Sequence, residues 1–317
     1  MPNKFAIGFY NLENLFDTQN DPNIFDDDFT STGDLKWNNT RYDKKLADLS
    51  TIIAEIGKEE TGISPILLGV AEVENKKVLN DLIGTAALKN LNYDYVHHNS
   101  PDERGIDTAL LFNKERFSVL ESRSYSLHLK NAEGARDFTR DILYVNGTID
   151  GIPVHVLVNH WPSRREGVEE SNPKRILAAK RNREIIKEIQ SKDPYARILI
   201  MGDFNDDPQS IAVRENLVST DLYNPMVFLL TRYAGSLTHR GDWYLFDQII
   251  LSPNWMKAYE NPLEYEKSAI FNPAYLAEAE GKYKGNPLRT YAGDHYLGGP
   301  SDHFPVYVIF KSGNSSY

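Results

Sequence analysis

The 317-residue chain contains no cysteine. Disulfide staples, thiolate-bound zinc and cysteine nucleophiles are excluded together. The compartment stays open, since such a chain tolerates either redox environment. No stretch reaches the roughly eighteen consecutive apolar residues of a membrane-spanning helix. The opening MPNKFAIGFYN has no apolar leader core, which fits a cytoplasmic protein, or a secreted or periplasmic one whose leader has been removed. Neither stable membrane association nor a protein partner is indicated. An excess of positive charge is also missing: 45 Asp and Glu against 35 Lys and Arg give a formal net charge of −10. That balance disfavours unspecific adhesion to DNA or anionic lipid. It permits chemistry on phosphates, because a bound divalent cation reverses the sign locally.

Eight strand-like runs are spread over the whole length: FAIGFY (5–10), PILLGV (65–70), DTALLF (107–112), ILYVNGTI (142–149), PVHVLV (153–158), ARILIM (196–201), FDQIIL (246–251) and PVYVIF (305–310). Helical spacing is seen in Leu46, Leu49, Ile53 and Ile56 after Thr40, with Gly57 as a stop. Further helices are predicted at roughly 75–90, from Pro173 through Ile185, Ile186 and Ile189, and over 273–281. The alternation has no linker, repeat or compositional break, which predicts one compact α/β domain over 1–317 with two sheets. Residues 17–44 read as an irregular acidic insertion and 311–317 as a tail. Acidic runs are as a rule solvated surface; a calcium site or a substrate-shaping loop is the alternative for 17–44.

Residues 202–208, GDFNDDP, follow the apolar run ILIM. Asn, Asp, Gly and Pro are common turn residues, so a solvated turn is one reading. Asp203, Asn205 and Asp207 also fit the opening of an EF-hand loop, but Pro208 and Arg214 stand where that loop needs Gly and Glu. A catalytic reading draws support from other strand ends. FAIGFY leads into Asn11 and Glu13, PILLGV into Glu72 and Glu74, and PVHVLV into Asn159 and His160. Asp247 opens another strand, and Asp302 and His303 precede the last. Ligands of α/β proteins commonly sit off strand ends. Period two along a strand would put Asn11 with Glu13, and Asp203 with Asn205, on common faces.

With FYNLEN, GVAEVEN, RGIDTALLFN, VNHWPSR, MGDFND, FDQIILS and SDHFPV in this order, the chain resembles the endonuclease/exonuclease/phosphatase superfamily over about 5–310. FYNLENLFD with HWPSR is similar to a bacterial branch of it. The resemblance implies a four-layer α/β sandwich: two mixed β-sheets packed face to face with helices on both outer sides. It implies a divalent metal, usually Mg²⁺, with Mn²⁺ or Ca²⁺ possible, and hydrolysis of a phosphate ester. By motif position Glu72 is the metal ligand, with Glu13 or Asp302 as second contributors. Asn11 assists at metal or phosphate, and His160 donates to the phosphate. Asp203 and Asn205 position water or leaving group, and Asp247 orients His303. Arg104 and Arg164 are candidates to meet a phosphate.

The chemistry is self-consistent: a hard cation on carboxylates neutralises phosphate oxygens, and histidines supply preorganised donors. Either Asp203 is the base with His160 as donor, or His303 is the base with Asp203 as acid. The expected substrate is a phosphodiester, with nucleic acid as a candidate. An inositol phosphate, sphingomyelin or another small phosphate is the alternative, and a catalytically degenerate binding protein ranks below both.

Overall fold

The structure, a computed structural model, describes residues 4–131, 133–165, 167–256 and 262–313. One mixed sheet has six strands in the spatial order Leu263–Ile270, Val306–Ser312, Lys4–Leu15, Leu67–Val73, Asp107–Asn113, Tyr93–His97. The other has five, ordered Asp247–Leu251, Ile198–Asp203, Ile152–His160, Ile142–Ile149, Phe117–Tyr125. Each sheet contains one parallel pair. These are Lys4–Leu15 beside Leu67–Val73, and Ile152–His160 beside Ile198–Asp203. Parallel neighbours need a long crossover. Helices α1 (Asn39–Glu55) and α2 (Lys58–Thr61) supply the first; α3 (Lys76–Ile83) follows that pair, and α4 (Val168–Lys192) forms the second crossover.

Side-chain alternation builds three apolar layers. Phe5, Ile7 and Phe9 face Val156, Val158 and Met201 between the sheets. Ala6, Tyr10, Leu68 and Val70 point outward to Leu46, Leu49 and Ile53 of α1. On the opposite outer side Leu157, Ile198 and Ile200 meet Ile185, Ile186 and Ile189 of α4. The four layers implied by the resemblance are therefore present.

All eight sequence-predicted strands form. Three more, Tyr93–His97, Phe117–Tyr125 and Leu263–Ile270, lie at sheet edges. There one flank lacks a partner, and mixed compositions such as FSVLESRSY hide the pattern. α1 begins at Asn39, where the Asn38 side chain accepts from Arg41 N at 3.2 Å. α3 stops at Ile83, short of the expected 90. α4 starts at Val168, so Pro173 sits in its second turn instead of opening it. Arg175 stabilises that start by donating to Val168 O at 3.1 Å and Ser171 Oγ at 2.7 Å. The helix expected over 273–281 is only a 3₁₀ turn at Ala274–Leu276, because Glu278 pairs instead with Gly285 and Asn286. Lys311 and Ser312 close the last strand and are no tail; 314–317 lie outside the described residues.

Register puts the polar strand ends in one place. Asp203 stands directly beside His160 on the parallel side and Asp247 on the antiparallel side. Gly202 makes the approach of these strands possible: a Cβ there would lie 2.3 Å from the Asn159 carbonyl oxygen. Gly202→Ala is expected to cost about 1–3 kcal/mol, the usual range for overpacking. Urea denaturation should show a lower midpoint with an unchanged m value.

Candidate active site

Asp203 is buried at the end of its strand. Its Oδ2 accepts from Asn11 Nδ2 at 3.0 Å, and its Oδ1 accepts from the backbone N–H of Asn205 at 2.8 Å. Two imidazole nitrogens face the same Oδ2: His160 Nε2 at 3.8 Å and His303 Nε2 at 4.0 Å. These separations exceed a hydrogen bond but leave room for one substrate oxygen to bond both partners. His303 Nδ1 is held by Asp247 Oδ2 at 2.7 Å, which aims Nε2 at Asp203. Glu72 closes the group, with Oε1 3.8 Å from His160 Nε2 and Oε2 accepting from Asn14 N at 2.8 Å. Asp302 Oδ1 lies 3.8 Å from His303 Nε2, while its Oδ2 accepts from Arg289 at 2.7 Å.

The two histidines have opposite electrostatics. Burial would neutralise His303, but Asp247, Asp302 and Asp203 outweigh it and hold the pKa well above 6.5. His160 is hydrogen-bonded to no carboxylate, with Glu72 and Asp203 each 3.8 Å away; burial first, then Arg140, Arg104, His303 and Arg165, hold it well below 6.5. It is neutral at pH 7. Its Nδ1 is buried without a hydrogen-bond partner among the described residues. The proton therefore belongs on Nε2, which points at Glu72 and Asp203. For Asp203, burial first and Asp247 second push the pKa from 3.8 up to about 6.

Some sequence-predicted residues reach the group by another route than expected. Glu13 (φ 47°) and Asn205 (φ 47°) are left-handed, as is Glu72 (φ 63°), so period two does not govern them. Glu13 turns away and accepts from Thr290 N at 2.7 Å. Asn205 donates its side-chain amide to Trp161 O at 2.9 Å. Asn11 spends its amide on bracing Asp203. Arg164 is not brought to the group. It donates to Asn205 O at 2.8 Å, pairs with Asp206 and lies 4.5 Å over the Phe246 ring. Asp206 is thus a buried ion-pair node with Arg164 and Arg175, more than the solvated turn its sequence suggests. Arg104 sits at the rim with its side chain 28% exposed. Sequence reasoning missed Arg140, which donates to Asp102 Oδ2 at 3.0 Å and Trp161 O at 2.7 Å beneath His160. A single charged residue ahead of a strand gives no signal.

Can these residues hold a cation? Asp203, Asp247 and His303 offer ligand atoms within 4.8 Å of one another. Asp247 Oδ1 is buried with no hydrogen-bond partner among the described residues. Asp203, Asp247 and Asp302 crowd around the cationic His303 imidazole, and Glu72 faces that of His160. The donor set fits a divalent metal. Carboxylates, oriented histidines and a gap for an oxygen define a metal-dependent phosphoesterase.

Its family is equally plain. The chain belongs to the Endonuclease/Exonuclease/phosphatase family, whose model matches residues 6–312. A family protein from Bacteroides thetaiotaomicron superposes with a TM-score of 0.62 at 16% identity, covering 99% of this chain and 96% of that one. The mannosyl-6-phosphatase of B. thetaiotaomicron VPI-5482 gives 0.59 at 16%, covering 96% and 99%. D. rerio TDP2 complexed with a single-strand DNA product gives 0.59 at 16%, covering 98% and 99%. At such identity these three show a shared fold. No curated protein sequence matches the chain. Among the described residues no helix is long and apolar enough to cross a membrane.

Because the folded-state pKa of Asp203 is raised from 3.8 to about 6, folding binds its proton more tightly, and stability is lost as pH rises through that window. Asp203→Asn removes the loss. With EDTA present, the stability of the variant relative to wild type should rise by about 2 kcal/mol between pH 4 and pH 7.5. Paired urea titrations at the two pH values measure it.

Proposed function

We propose that the chain hydrolyses a phosphodiester, with nucleic acid as the first substrate class to test. The observation that carries this reading is that most arginines at and around the His160, Asp203 and His303 group are already paired with carboxylates, with Arg165 and the loosely held Arg104 the exceptions among the described residues. Arg140, Arg164 and Arg289 are each held by a carboxylate, of Asp102, Asp206 and Asp302 respectively. A singly charged diester suits such a site better than a doubly charged monoester. The TDP2 structure with its DNA product supports the diester reading by analogy of fold. The mannosyl-6-phosphatase supports the alternative, a small phosphorylated substrate.

In this proposal Glu72 holds Mg²⁺, with Asp302 contributing, and Mn²⁺ or Ca²⁺ can substitute. Bound there, the metal neutralises charge on the phosphate oxygens. A second placement, on Asp203, Asp247 and His303, is favoured by their 4.8 Å grouping. Against it, His303 Nδ1 is already bonded to Asp247, and magnesium prefers oxygen ligands.

The chain's own groups divide the proton work. Asp203, with a pKa near the working pH, takes a proton from the attacking water. Asn11 and the Asn205 N–H hold its carboxylate in place. Neutral His160 donates from Nε2 to a phosphate oxygen, and cationic His303 donates from Nε2 as charge develops. Asp247 orients His303 and keeps it charged. Arg104 offers a further rim contact. Of the two base assignments, a cationic His303 favours Asp203.

Plasmid DNA, RNA, bis-p-nitrophenyl phosphate, sphingomyelin, inositol phosphates and hexose phosphates form the test panel, each with Mg²⁺, Mn²⁺, Ca²⁺ or EDTA. Diester turnover should require metal. Asp203→Asn should lower kcat by about 10²–10⁴ and His303→Ala by about 10² or more. Turnover unaffected by EDTA, or near-normal in Asp203→Asn, would overturn the mechanism. Faster hydrolysis of monoesters than of any diester would overturn the substrate assignment.

A further inference from the structure

Beside the reacting group lies a cavity of about 210 Å³ that the proton chemistry does not use. Phe29, Leu35 and Trp37 of the acidic insertion form one wall, and Tyr291 and Arg289 form the other. Both walls touch the catalytic group. Asn14, at the cavity's edge, donates its backbone N–H to Glu72, and Arg289 holds Asp302 at 2.7 Å. The cavity is thus one residue removed from Glu72 on one side and from Asp302 on the other.

Its walls are fixed before any ligand arrives. Trp37 is buried and donates Nε1 to Phe16 O at 3.1 Å. Phe29 stands edge-on to Trp37, with ring centroids 6.3 Å apart, and Tyr291 lies 6.2 Å from Trp37. Tyr291 donates its hydroxyl to Leu35 O at 3.0 Å, tying the two walls together. At the back, buried Lys45 bonds Glu13 O at 2.5 Å and Thr290 Oγ1 at 2.7 Å, while the Glu13 carboxylate accepts from Thr290 N. Preformed pockets of apolar and aromatic lining with a few placed polar groups are where small ligands bind.

We propose that this cavity is a subsite for one planar unsaturated ring carried by the phosphate ester. Phe29 and Tyr291, backed by the buried Trp37, give it faces and edges to pack on, and Asn14 and Arg289 serve the polar rim of such a ring. The volume admits a single ring system. A nucleobase and a plain aryl group share this chemistry. The inference rests on the phosphoesterase reading and assigns the irregular insertion a role in specificity.

The test is competition against bis-p-nitrophenyl phosphate hydrolysis in the metal-loaded protein, with methylphosphonate, phenylphosphonate and thymidine 5′-phosphate as competitors. In wild type the two ring-bearing competitors should inhibit about tenfold more tightly than methylphosphonate, in line with the stacking of one ring. Leu35→Trp, which fills the cavity, should bring that ratio close to one, and Phe29→Ala, which opens a wall, should lower it as well. Loss of the ratio for thymidine 5′-phosphate alone assigns the ring as a nucleobase; loss for both assigns aryl groups generally. Equal inhibition by all three in wild type, or a ratio that survives both substitutions, overturns the subsite. If wild type hydrolyses no ester with any metal, the phosphoesterase reading itself fails.

Discussion

The buried carboxylate of Asp203 is the constraint around which the rest is arranged. Isolated in a protein interior, an ionised carboxylate is strongly disfavoured. Here Asn11 and the Asn205 N–H satisfy its oxygens, and two imidazoles stand just beyond contact. Its place follows from register: one row across the second sheet aligns His160, Asp203 and Asp247. The first sheet brings Asn11, Glu72 and His303 to the same edge from its own parallel pair and the strand beside it. Both parallel pairs end at this edge, so Asn11, Glu72, His160 and Asp203 arrive on strands, and His303 on the turn just ahead of the last strand.

Charge explains why two histidines of similar burial behave differently. Carboxylates surround His303, while His160 is backed by Arg140 and neighboured by other cations. One imidazole is thereby a cation and the other a neutral donor. The arginines near the site are mostly occupied with carboxylates of their own. In a chain of net charge −10, the positive charge at the reacting group itself is the His303 imidazolium.

The fold and the roster of polar strand ends were legible in the sequence because both depend on local pattern. Apolar runs mark the central strands, buried on both faces, and GDFN with SDH marks two of their ends. Of the four edge strands only the buried Asp247–Leu251 was legible; the other three have mixed, partly exposed compositions that hide the pattern. What pattern could not supply was direction. Left-handed backbone at Glu13 and Asn205 turns their side chains out of the expected alternation, sending one to Thr290 and the other to Trp161. Arg164 stands within four residues of His160 in sequence, yet Asp206 and the Phe246 ring claim its guanidinium. Such pairings join residues from 42 to 277 positions apart, which no single-sequence periodicity records.

If both sheets deliver their strand ends to one metal-and-phosphate site, that edge of the sandwich binds the two groups together. An anomalous-difference map from crystals grown with Mn²⁺ and methylphosphonate tests it most directly. A manganese peak is expected against the Glu72 carboxylate, with the phosphonate lying between His160, Asp203 and His303. A peak bound only by Asp203, Asp247 and His303 would contradict the proposed placement of the metal. A phosphonate bound elsewhere on the molecule, with that edge of the sandwich empty, would contradict the site itself.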